Sequence, residues 1–95
     1  MLEKLENEIE LIRRHMGVLQ AVVQHGPIGI MKLTDLLHDS QHHLRYSLRV
    51  LEQMGYIQAT TSGAIATEKA FTMLKEFDTD LDTLISKLRQ LQTEK

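Results

Sequence analysis

The sequence predicts a mostly α fold with one small β-hairpin, and three observations predict it. Two long segments, one near each end, repeat apolar residues at alternating steps of three and four. Between them, two short amphipathic helix patterns stand on either side of a polar break, His38-Asp39-Ser40. A short stretch, YIQATTSGAIAT, then carries a Gly-bearing turn before the last long segment begins. At 95 residues the chain amounts to one domain, and a core of that size is often supplemented by association with a second copy.

The first helix is expected over residues 2–25. Leu2, Leu5, Ile9, Ile12, Met16, Leu19 and Val23 form an a/d heptad, the seam of a coiled coil. Val18 and Val22 widen the stripe near the end, where the helix turns toward a globular core. Acids open the helix and Arg13 and Arg14 follow, the order that the helix dipole favours. Gly17 costs about 1 kcal/mol against Ala and reads as room for a close neighbour. Gly26 is expected to end the helix in a left-handed cap, with Pro27 barring continuation.

Residues 28–32 read either as a brief strand or as the run-in to a second helix over about 30–38, with Leu33, Leu36 and Leu37 as its apolar pattern. A third helix follows over about 40–54, with Leu44, Leu48 and Leu51 inward. Ser40 is its expected N-cap, because a short hydroxyl side chain can accept a free backbone N–H there. Gly55 stops it. Residues 56–60 and 64–67 read as two strands about a Thr61-Ser62-Gly63 turn. Thr67 then caps a last helix over 68–93. Its Ala70, Leu74, Phe77, Leu81, Leu84, Leu88 and Leu91 form a second heptad, and Gln92–Lys95 reads as a frayed tail.

A strict a/d seam is too narrow to be explained by one small core. Residues 1–25 and 68–93 are therefore expected to act as dimerisation helices around a middle segment, 28–67. Leu5, Ile9, Ile12 and Met16 would serve on the first, and Leu74, Phe77, Leu81, Leu84, Leu88 and Leu91 on the last. Whether the two seams pair within or between protomers stays open.

Composition excludes several classes of function. Without cysteine there are no disulfides, thiolate metal sites or cysteine nucleophiles. The charged N-terminus lacks a signal-peptide core, and no apolar run nears the ~20 residues of a membrane span, so a cytoplasmic protein with no membrane partner is expected. No Gly-rich phosphate loop, nucleophile elbow or HExxH motif is present. Asp78, Asp80 and Asp82 sit at i,i+2 steps on a helix, which points them apart. His38, His42 and His43 cluster across a helix break without the further ligand that zinc needs. The expectation is a protein that is not an enzyme and uses no cofactor or metal. The net charge of −2 lacks the basic footprint of many nucleic-acid binders. The middle segment, 26–60, is nonetheless balanced, with three basic against three acidic residues.

Three motifs carry a resemblance that spans the whole chain and is best over residues 28–77. LTDLLHDSQHHL has the apolar offsets of a helix-turn-helix, LRVLEQMGYI closes a recognition helix and enters a wing, and IATEKAFTMLKEF leaves the wing for a C-terminal helix. The chain resembles the winged helix-turn-helix transcriptional regulators of the MarR/PadR-like superfamily, small regulators common in bacteria and archaea. The resemblance implies a homodimer built by the terminal helices, with double-stranded DNA as partner. The sequence departs from that pattern in three places, of which Ala70 for the usual Gly matters little. Asp39 stands where an apolar turn residue is usual, and the hairpin lacks a basic tip.

The residues expected to carry the function lie on the third helix. With its leucines inward, Gln41, His42, Arg45, Tyr46 and Arg49 face outward and His43 lies at the flank, while Lys32 and Ser40 lie where phosphates would pass. Gln pairs well with adenine and Arg with guanine. Alone, such a face is equally a solvated helix surface; in the helix-turn-helix layout it becomes a reader of DNA. The alternative is a winged-helix protein–protein module that binds no DNA. The sequence points to no particular small-molecule effector.

Overall fold

The computed structural model describes residues 1–93. Helix α1 (Glu3–His25) is followed by α2 (Ile30–Leu37), α3 (Gln41–Gln53), strands β1 (Ile57–Thr60) and β2 (Gly63–Ala66), and α4 (Glu68–Arg89). This is the mostly helical layout with one hairpin that the sequence predicts.

The core sits where the second half of α1 crosses α2 and α3. Val18, Leu19 and Val22 of α1 pack with Leu33 of α2 and with Leu44 and Leu51 of α3, all essentially sealed from solvent. Ile28 of the α1–α2 connection, Ile57 and Ala64 of the hairpin and Ala70 at the start of α4 close the cluster. The core is aliphatic, as a chain with 4% aromatic residues requires.

The connection between α1 and α2 differs from expectation. Gly26 has φ −64° and ψ 148°, an extended conformation, so it is not a left-handed cap. Its N–H donates to the Val22 carbonyl at 2.8 Å. A side chain there is excluded by crowding, since a Cβ would lie 2.6 Å from that same carbonyl oxygen. Gly17 is corrected too: a Cβ there meets nothing within 4 Å, so no neighbour packs close. Ile28 and Ala64 exchange two backbone hydrogen bonds, of 3.1 and 2.8 Å. Residues 28–32 are thus both of the things expected, a one-residue strand and then the start of α2.

The turn between α2 and α3 puts His38 in the left-handed region, φ 54°, with its N–H donating to the Thr34 carbonyl. Ser40 caps α3 as expected, its hydroxyl accepting the His43 N–H at 3.1 Å. β1 and β2 pair antiparallel, with Ile57 opposite Ala66 and Thr60 opposite Gly63. The turn is therefore Thr61-Ser62 alone. Gly63, expected within it, opens β2 at φ 128°, hard against the Ile28 backbone. A longer side chain would part the hairpin from residue 28.

Thr67 caps α4 by accepting the Ala70 N–H at 3.3 Å, and its own hydroxyl donates to the Gly55 carbonyl at 2.6 Å. Lys69 adds a bond to the Met54 carbonyl at 2.7 Å. The base of α4 is thereby locked to the end of α3. α4 closes at Arg89 rather than at residue 93. Of the expected tail, Glu94 and Lys95 lie outside the described residues.

The two seams divide in the middle. Leu19 of α1 is fully buried, and Met16, Leu74 and Phe77 are half-buried in the protomer's own body. Farther out, Leu5, Ile9 and Ile12 are 41, 46 and 48% exposed, and Leu84 and Leu88 are 54 and 41% exposed. The molecule is 57 Å along its longest axis and 20 Å along its shortest.

Candidate nucleic-acid interface

α3 takes its orientation from three residues buried along one side, Leu44, Ser47 and Leu51. Their i, i+3, i+7 spacing sets the opposite side outward. Leu48, expected inward with them, is half-buried: it packs against the core cluster and also lines the crevice beside the hairpin. Gln41, His42, Arg45 and Arg49 share the outward face and are exposed.

The outward residues differ in what holds them. Gln41 Nε2 rests 3.3 Å from the Met31 sulfur of α2, and Arg45 Nη2 points at Gln41 Oε1 from 3.4 Å. Arg45 and Arg49 line a crevice of about 380 Å³ between α3, the Ile28 segment and the hairpin. Neither guanidinium pairs with a carboxylate among the described residues. Glu52 lines the far end of the same crevice, an acid that the outward-face reading left out. Lys32 stands apart at the first turn of α2, exposed beside His25 and Gly29.

Two of the expected contact residues lie at the edge of this face, both of them exposed. His43 Nδ1 lies 2.9 Å from Asp39 Oδ1, which ties the ring back to the turn. Tyr46 leans toward α1, its ring 5.9 Å from that of His15. Helix geometry explains both, since residues 43 and 46 lie on the flank nearer α1, away from the hairpin.

Asp39 is an organising residue of the site. It accepts the Ser40 N–H at 2.7 Å, bonds His43, and faces Arg14 Nε of α1 at 3.7 Å. The hydrogen bond from His43 and then that from the Ser40 backbone hold its carboxyl below the ordinary value of 3.8. The polar residue in the expected apolar turn position thus joins α1, the turn and α3.

A second link lies deeper. Ser47, 0% exposed, has its Oγ 2.8 Å from His15 Nδ1. A neutral ring protonated on Nε2 accepts the serine O–H there. Partial burial first, and the charge of Arg14 second, lower the His15 pKa from 6.5, which keeps the ring neutral. No buried side-chain polar atom among the described residues lacks a partner. Arg14, His15 and Ser47 were not singled out by sequence. The available signal was Ser47, a polar residue three after Leu44 and four before Leu51 on a face that must be buried.

Among the described residues no three His, Asp or Glu side chains come together to hold a metal, and no described helix is long and apolar enough to cross a membrane. No model of a known protein family matches the chain, and a search of curated proteins finds no significant match.

Proposed function

We propose that this chain is a sequence-specific DNA-binding transcriptional regulator acting as a homodimer, in the manner of the winged-helix regulators its motifs resemble. One observation carries the reading. An exposed polar face on α3, with two guanidinium groups that meet no carboxylate among the described residues, stands between a tight turn and a short hairpin while the opposite side of the helix is anchored in the core. A helix held in that way can enter a major groove, where Gln41 suits adenine and Arg45 or Arg49 suits guanine. Ser40 and Lys32 flank the helix as phosphate contacts. His42 lies on the reading face, whereas His43 and Tyr46 support it from the flank. The hairpin carries no Lys or Arg, so α3 supplies most of the electrostatic attraction.

The homodimer follows from the outer seams. Each half-exposed Leu or Ile gains about 1 kcal/mol on full burial. The exposed Leu5, Ile9, Ile12, Leu81, Leu84, Leu88 and Leu91 therefore give two protomers on the order of 14 kcal/mol, at the upper end of the ~4–15 kcal/mol that association costs.

A gel-shift titration on DNA from upstream of the protein's own coding region, repeated across salt concentrations, tests the reading. Arg45→Ala with Arg49→Ala removes four guanidinium groups per dimer. The salt slope should flatten by up to about 0.9 for each phosphate charge lost. If the parent retards no fragment at moderate salt, or the double variant matches it, the proposal fails. A protein that co-purifies in place of a shift favours the protein–protein module, which the net charge of −2 would suit.

A further inference from the structure

We infer that the second copy is gripped in one particular way: α1 of each protomer packs antiparallel along α4 of its partner, in a register that the charges beside the seams select. The inference rests on the homodimer proposed above and adds its geometry.

The starting observation is an unfilled groove of about 300 Å³. Ile12, Met16 and His15 of α1 line one wall, and Phe77, Leu81 and Leu84 of α4 are among the residues lining the other. The two helices of one protomer face each other across it without closing it. Among the described residues no ion pair joins them, and Arg13 reaches only Glu10, 3.6 Å away on its own helix.

The seams match when run antiparallel with Ile12 level with Leu81. Met16 then meets Phe77, Ile9 meets Leu84 and Leu5 meets Leu88. The residues beside these layers fall into opposite-charge pairs: Glu8 faces Lys87 and Arg13 faces Asp78. A slip of one heptad inward sets Glu8 against Asp80 and Glu6 against Asp78. A slip outward sets Arg13 against Ile85 and leaves its charge without a partner. One register therefore keeps both the apolar layers and the charges. Its complementary partners are unmade within the protomer, and a second copy supplies them twice over, about a two-fold axis.

Two charge-reversed chains test this without changing net charge. One carries Glu8→Lys with Arg13→Glu, the other Asp78→Lys with Lys87→Glu. All four positions are exposed, and circular dichroism checks that helix content is kept. Sedimentation at low salt should show each variant alone dimerising roughly a hundredfold more weakly than the parent, as four exposed attractions become repulsions. Mixed together, the two variants should form a heterodimer of near-parental affinity, and the difference should shrink in high salt.

The outcomes separate cleanly. If either variant alone dimerises as tightly as the parent, the pairing of α1 with α4 is overturned while the homodimer stands. A parallel pairing of α1 with α1 would behave so, because reversing Glu8 and Arg13 together keeps that pair complementary. If mixing fails to rescue but all four changes in one chain do, the pairing lies within a protomer and the inference falls. A parent that sediments as a monomer removes the homodimer itself.

Discussion

Replacing Ser47 by alanine should destabilise the fold through His15, 32 residues away in sequence. The serine hydroxyl is fully buried and 2.8 Å from His15 Nδ1, so its loss leaves a partly buried ring nitrogen without a partner. A lost hydrogen bond of that kind costs roughly 1–2 kcal/mol. For a domain of this size that lowers the thermal midpoint by about 5–15 °C. The assay is a double-mutant cycle of Ser47→Ala with His15→Leu, read by urea and thermal melts at fixed protein concentration, since a dimer's midpoint depends on it. The expected coupling is about 1 kcal/mol. Acid provides the second arm. The His15 pKa is lowered from 6.5, so the folded state binds fewer protons than the unfolded chain in the window below 6.5. The stability it contributes is complete above 6.5 and is lost as pH falls through the folded value. The parent should weaken over that window by more than the His15→Leu variant does. Coupling below about 0.3 kcal/mol, together with equal pH dependence in both proteins, would refute the link.

Three further outcomes follow from the same geometry. Gly63→Ala should cost at least about 2 kcal/mol in urea melts, because it forces a side chain to φ 128° and to 2.6 Å from the Ile28 backbone. Gly17→Ala should stabilise by about 0.5–1 kcal/mol, being an open helical position. Asp39→Ala should cost about 1 kcal/mol at neutral pH by freeing Arg14, His43 and the Ser40 N–H. The Asp39 pKa is lowered, so its contribution is present above 3.8 and disappears as pH falls through the folded value. Melts at successively lower pH should show the parent and the variant converging.

Much of the candidate site was legible because helix faces are local. Ser40 as cap, Leu44 and Leu51 inward, and Gln41, Arg45 and Arg49 outward all follow from spacing within one helix, and the structure places them so. His43 lies at the flank as expected and Tyr46 is exposed as expected; what the sequence did not show is the His15 ring of α1 beside Tyr46, because α1 lies far from it in sequence. Gly26 and Gly63 were read as local turn residues. Their conformations answer to crowding by carbonyls and by a strand that the chain contributes from elsewhere.

Period-3.6 patterning and turn chemistry thus determined, from the sequence by itself, the number and order of helices, the hairpin and the inward Leu33, Leu44 and Leu51. Each of those depends on interactions between residues a few positions apart. Tertiary structure alone decided that Asp39 joins Arg14 to His43, that Ser47 meets His15, and that the seams stay open beyond the body. Such pairs depend on how helices cross in space, and neither member carries a local trace of the other. Half-open seams likewise record where the core runs out, which is a property of the packed whole.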